Sequence, residues 1–231
     1  ADYHTNERIN DRGVLVDVPL CLAAVRYSEA EVEEIQAKVV EATSGEIRSV
    51  RSPKMREWVL ARVGEQARKL MWTGEKYSID KTVRANLLVM DAEEVPPHVQ
   101  EVIQCADDLW ASSVAKFSRL AALADDEDHR VRGAFVFAGG SATGRASSYG
   151  AQVHNFTRKC AAEPDTVRER MVCGGAVVPE FGKRVTDVLK AMLRPAIIPA
   201  EGKVLIVADW AGIEARVNPW ASNCRAGTAK L

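Results

Sequence analysis

The sequence predicts an α+β protein, a mainly helical first part followed by a smaller part built on a β-sheet. Through Leu123 the apolar residues recur at helical spacing, in segments opened by Asp17, Ser28, Ser52 and Pro96-Pro97. From Val131 onward the pattern changes to short apolar runs beside glycines, Phe135-Val-Phe137 and Val204-Leu-Ile-Val-Ala-Asp209. The acidic run Asp125 to Asp128 stands between the two patterns, so residues 1–128 are read as the helical part and 129–231 as the sheet-bearing part.

Ile9 to Asp17 reads as a turn feeding a short strand, after which Asp17 and Pro19 start a helix through Ala24 and Val25. Ser28-Glu-Ala-Glu31 has capping-box spacing, so a separate helix is expected there, carrying Val32, Ile35 and Val39 until Ser44-Gly45 ends it. Ser52 caps, and Pro53 occupies the first turn of, a helix carrying Met55, Trp58 and Leu60 as far as Gly64. Pro96-Pro97 opens the longest pattern, with Val99, Val102, Ile103, Ala106, Leu109, Phe117 and Leu120 on one stripe. Unbroken to Leu123, it would be about 40 Å long at roughly 1.5 Å per residue. Two further helical patterns, at 166–172 and 183–193, are separated by Gly174-Gly175, and Pro195 stops the second. Arg194 to Ile198, a turn, and Val204 to Asp209 then read as a β-hairpin whose second limb is buried.

At 231 residues and 47% hydrophobic the chain can bury a real core, and its formal charge of −1 announces no nucleic acid globally. Locally the balance is uneven. Basic residues outnumber acidic ones from Arg48 to Arg84, and His129 to Ala162 contains no acid at all. Five cysteines without a C-x-x-C spacing point to reduced thiols, and His154, Cys160 and Cys173 are too irregularly spaced to argue for zinc. No apolar run approaches a membrane span and the charged amino terminus is not a signal peptide, so a cytoplasmic protein is expected.

Two stretches concentrate chemistry. Asp209 stands at the end of an apolar run, where a carboxylate must meet a cation, N–H donors or a metal. It either caps a helix beginning near Ile213 or holds a hard cation such as Mg²⁺. Gly144-Arg145-Ala-Ser147-Ser148, followed by Gln152, His154, Asn155 and Arg158, joins glycine, arginine, hydroxyls and amides. It reads either as a flexible polar loop or as a reader of nucleic-acid edges, since arginine donates in a fixed fork and carboxamides both donate and accept.

Asp209-Trp-Ala-Gly212-Ile-Glu214-Ala-Arg216 resembles motif A of the family A DNA polymerases, in the phage-type form with glycine at 212. Gly144-Arg145 with Gln152 and Asn155, upstream and in the family's order, resembles that family's Thr-Gly-Arg motif, although Thr157 departs from the proline often found there. Gly13 to Asp17 and Ser52-Pro53-Lys54 are similar to elements before and within the family's thumb. The resemblance implies a mainly helical thumb with part of a β-sheet palm. It implies minor-groove contacts by Arg145, Gln152, Asn155 and His154, and a backbone-phosphate contact by Lys116, with Ser112 and Ser113 nearby. It makes Asp209 a catalytic Mg²⁺ ligand, with the Trp210 carbonyl assisting and Glu214 beneath the incoming sugar, while Arg216 is structural.

The implied partners are primer-template DNA and a dNTP, in a bacterial or phage-infected cell. The family's second metal carboxylate and its fingers lysine follow motif A and find no counterpart in these residues. The expectation is therefore a polymerase fragment, inactive alone, that needs a fingers and palm segment in cis or in trans and tends to self-associate through exposed palm surface. The alternatives are a non-catalytic DNA-binding module derived from a polymerase, and an unrelated Mg²⁺-dependent phosphohydrolase using Asp209 and Glu214.

Overall fold

The computed structural model describes residues 2–110, 115–208, 212, 217, 218, 221 and 222. The chain divides into two units, Ala1–Ile198 and Pro199–Leu231. The described residues form an α+β arrangement, helices with two small antiparallel sheets.

The first unit opens with α1 (Asp2–Arg12). Gly13, at φ 69°, then turns the chain into β1 (Val14–Leu15). A side chain at Gly13 would meet the Val131 carbonyl, because β1 pairs antiparallel with β2 (Arg130–Val131), Val14 facing Val131.

Asp17 starts α2 (Val18–Ala42) as expected, its Oδ1 accepting from the Leu20 N–H at 3.0 Å with Pro19 in the first turn. The separate helix expected from Ser28 does not exist; α2 runs on for 25 residues. Nothing between Val25 and Glu31 is glycine or proline, so the backbone ladder is not interrupted, and capping-box spacing inside a helix is then coincidence. The length lets α2 serve two cores. Its first half buries Leu20, Cys21, Ala23 and Ala24 in one apolar cluster, and its second half buries Ile35 and Val39 in another. It ends as the sequence predicts, with Ser44 and Gly45 both left-handed.

The second cluster is closed by α3 (Pro53–Leu60), α4 (Glu65–Met71), α5 (Lys81–Leu87) and α6 (Pro97–Trp110). Ser52 and Asp80 cap α3 and α5, and the Glu94 carboxylate accepts from the Ala67 N–H in the first turn of α4. The expected helix from Pro96 to Leu123 is represented by α6 and by α7 (Ala115–Leu123); residues 111–114, including Ser112 and Ser113, lie outside the described residues.

The first cluster takes Phe117 and Leu120 of α7, then Val131, Ala134, Ala151 and Phe156, and finally α8 (Pro164–Val172) and α9 (Val185–Met192). It thus packs residues from both sides of position 128. A half-buried ion pair locks it: the Arg168 guanidinium on α8 grips Asp17, which is 2% exposed, through both its Nε and its terminal nitrogen.

In the second unit the expected buried strand is not present. Residues 203–208 form no strand, and Ile206 and Val207 are each 89% exposed. The limb meant to pair with them is engaged elsewhere: Ile197 bridges Val16, and the Ile198 N–H donates to the Leu15 carbonyl at 3.1 Å. An apolar run cannot make a ladder without a partner.

Candidate nucleic-acid interface

The residues from 134 to 158 make one hairpin followed by one tight turn. β3 (Phe135–Val136) pairs antiparallel with β4 (Ser147–Ser148), Phe135 facing Ser148. The outer edge of β3 is paired by a side chain instead of a strand. The Asn10 amide donates to the Phe135 carbonyl at 2.8 Å and its oxygen accepts from the Phe135 N–H at 2.9 Å. A carboxamide has the donor and acceptor of a peptide group, so Asn10 covers the edge that would otherwise be open.

Arg145 lies at the end of the loop between these strands. The Gly140 carbonyl accepts from the N–H groups of Thr143 and Gly144 at 3.0 and 2.7 Å, and the Gly140 N–H donates to the Arg145 carbonyl at 2.9 Å. Gly144 holds φ 63° in this turn, and a Cβ at Gly139 would fall on the Ser147 hydroxyl. Arg145 is exposed.

After β4, Gln152 adopts a left-handed backbone at φ 54° and starts a 3₁₀ turn at Val153–Asn155. The His154 N–H donates to the Ser148 hydroxyl at 3.1 Å, and the His154 ring meets Phe135 edge-on at 5.6 Å. This ties the turn to the hairpin. Gln152, His154 and Asn155 are exposed.

Phe156, 4% exposed, anchors the far side of the turn. Three successive carbonyls there each receive a cationic donor. Lys116 on α7 donates to the Asn155 carbonyl at 2.7 Å, and Arg194 donates to the Phe156 and Thr157 carbonyls at 3.3 and 2.7 Å. The Lys116 ammonium also stands 5.2 Å from the Phe156 ring centroid. Partial burial lowers its pKa below the ordinary lysine value.

Arg145, Gln152, His154 and Asn155 thus share one hairpin-and-turn, with Lys116 holding its end. Asp209, Trp210, Glu214 and Arg216 lie outside the described residues. Among the described residues no group of three or more His, Cys, Asp or Glu side chains is arranged to hold a metal ion. No described helix is long and apolar enough to cross a membrane. Sequence reasoning missed Asn10 and Arg194. Asn10 carries no signal beyond an ordinary turn residue, and Arg194 was legible only as the residue before a helix-stopping proline.

No protein-family model matches the chain, and no solved structure matches it. Similarity to a curated protein relates the chain to DNA polymerases. That relative is the DNA polymerase of Bacillus phage SP02, 29% identical over 218 residues, a match that covers 93% of this chain and 31% of the phage protein. The chain therefore spans about a third of the length of the relative it matches.

Proposed function

We propose that the chain is the thumb and the first part of the palm of a phage-type family A DNA polymerase, and that it grips primer-template DNA through the minor groove. The relation to a phage DNA polymerase along 93% of the chain supports this reading. The observation that carries it is the gathering of Arg145, Gln152, His154 and Asn155 on one exposed hairpin-and-turn clamped from behind by Lys116 and Arg194. Every base pair offers minor-groove acceptors in nearly the same place. A guanidinium fork and two carboxamides suit those acceptors, so this surface tests pair geometry without selecting sequence.

In the same reading Asp209 and the Trp210 carbonyl hold Mg²⁺, and Glu214 lies beneath the incoming sugar. When bound, Mg²⁺ supplies charge neutralisation at the transferred phosphate. A second carboxylate, and the lysine that holds the dNTP, come from a fingers and palm segment acting in cis or in trans.

Titrating fluorescent primer-template DNA and single-stranded DNA against the chain and Arg145→Ala, at several salt concentrations, tests the grip. The expected result is a preference for primer-template that Arg145→Ala reduces, with affinity falling as salt rises. Equal binding of both DNAs by both proteins, with unchanged circular-dichroism melts, overturns it and favours a module without a primer-terminus function.

A further inference from the structure

A second surface, on the cluster built from α3 to α6, has the chemistry of a nucleobase platform. Trp72 closes α4 and bridges Tyr77 in a short antiparallel pair around Thr73 to Lys76. The Thr73 N–H and hydroxyl both donate to the Lys76 carbonyl, at 3.0 and 2.7 Å, and Gly74 turns the chain at φ 93°. The Ser78 N–H donates to the Met71 carbonyl at 2.8 Å, which ties the hairpin to the buried end of α4. The hairpin is therefore fastened at its turn and at its base.

On this support two large aromatics face water. Trp72 is 47% exposed and Tyr77 39% exposed. Their rings meet edge-on, with centroids 5.0 Å apart and planes at 63°, so they do not cover each other by stacking. Tyr77 borders several recesses, two of them flanked by cations of the hairpin and its neighbours. One, of about 430 Å³, is shared with Trp72, Arg68 and Lys69; the other, of about 490 Å³, is bordered by Arg56 and Lys76.

Of the acids nearby, two are committed and Glu75, in the turn of the hairpin, is exposed. Glu65 pairs with Lys69 at 2.7 Å, and the Asp80 carboxylate caps α5 through the Thr82 and Val83 N–H groups. Against the one carboxylate of Glu75 stand Arg56, Arg68 and Lys76, so positive charge predominates beside the exposed rings. That combination complements a phosphate backbone carrying unpaired bases, each of which has a π-face to stack. An apolar protein partner would not call for the cations, and a closed duplex would not offer base faces.

We infer that Trp72 and Tyr77, flanked by Arg68, Lys76 and Arg56, form a stacking platform for single-stranded DNA. This goes beyond the minor-groove grip and does not depend on Arg145. In a primer-template the strand it takes is the unpaired one.

The test is quenching of intrinsic tryptophan fluorescence by an oligo-dT strand at low salt, run on the full chain, Trp72→Ala, Trp72→Phe and Lys76→Gln, with blunt duplex as the comparison. Trp72→Ala is expected to raise the dissociation constant for oligo-dT about tenfold, the loss of one stacked base. Fluorescence anisotropy of labelled oligo-dT reads the variants on one scale. Trp72→Phe should restore most of the affinity, and Lys76→Gln should flatten the salt dependence by about 0.7 in slope. Blunt-duplex affinity should not change in Trp72→Ala. Absence of oligo-dT binding by the full chain overturns the inference. So does equal oligo-dT affinity in Trp72→Ala with an unchanged thermal melt, or an equal loss for single strand and blunt duplex. Failure of the minor-groove grip would instead appear in Arg145→Ala on primer-template, so the two failures are separable.

Discussion

Lys116 was expected to touch a DNA phosphate, and its observed bond to the Asn155 carbonyl at 2.7 Å offers a different role that one substitution distinguishes. Lys116→Met keeps the aliphatic stem and removes the charge. The ammonium makes one charge-assisted hydrogen bond, of about 1.5–3 kcal/mol, and one cation–π contact, of about 0.5–1 kcal/mol. Lys116 is only partly buried, so solvent screens both, and a net loss of about 1–2 kcal/mol in the ordering of the turn is the reasonable figure. If that ordering presents Gln152, His154 and Asn155 to DNA, primer-template affinity falls by as much as about thirtyfold. The slope of log affinity against log salt separates the roles. A positioning lysine leaves the slope unchanged, because no phosphate contact is lost. A phosphate-contacting lysine lowers it by about 0.9. Salt-dependent titration gives the slope, and hydrogen exchange at the Phe156 amide, which donates to the Val153 carbonyl at 3.2 Å, reports the turn directly. A reduced slope with unchanged Phe156 exchange would refute the positioning role.

Two further predictions concern the core that supports this site. Arg168→Ala leaves the Asp17 carboxylate buried without its cation; because the Arg168 side chain is 39% exposed, the loss is set at about 2–3 kcal/mol, at or below the lower end of the range for broken buried pairs. Urea unfolding should show it, Arg168→Lys should recover only part, and a change below about 0.5 kcal/mol would mean that the pair is not coupled. Burial, reinforced by the nearby Asp17 carboxylate, pushes the Cys21 thiol up to about 12 from an ordinary 9.0. A raised acid pKa contributes stability that is fully present below pH about 9 and lost as pH rises toward 12, at about 1.4 kcal/mol per pH unit while only the unfolded thiol ionises. Subtracting the Cys21→Ala stability profile from that of the parent should isolate this slope; a flat difference between pH 9 and 11 would contradict it.

Much of the helical framework was legible because its signals are local. Asp17, Ser52 and Pro53 sit where side-chain capping and proline chemistry require, and α2 ends at Ser44 and Gly45 through a left-handed turn. The misread start at Ser28 shows the limit of such signals, since a capping box acts only where the preceding turn leaves the helix. The unread features are non-local. β2 is two residues long, too short for any periodicity, and its partner β1 lies at the other end of the first unit's sequence. Lys116 and Arg194 meet three consecutive carbonyls, and no pattern in a sequence marks a carbonyl that will need a donor. The run Val204 to Val207 was legible as apolar but not as unpaired, because apolarity says that a segment favours cover and is silent on what supplies it.

Charge supplies the remaining step. The acid-free stretch from His129 to Ala162 looked like an undivided positive patch, with the acidic run before it serving as a boundary. The structure joins them. Arg132 donates to Asp128 through both terminal nitrogens and approaches Asp125 at 3.8 Å, while Arg130 approaches Asp128 at 3.8 Å and donates to the Gly13 carbonyl at 3.2 Å. These two arginines fasten β2 to the turn before β1, and their charge is largely matched by the run that precedes them. The other cations of this stretch, Arg145, Arg158 and Lys159, are exposed on the loop and turn that carry the proposed minor-groove residues. The acidic run therefore does more than end the helical part. By pairing with Arg130 and Arg132 it offsets positive charge at β2, next in sequence to the hairpin on which the proposed grip depends.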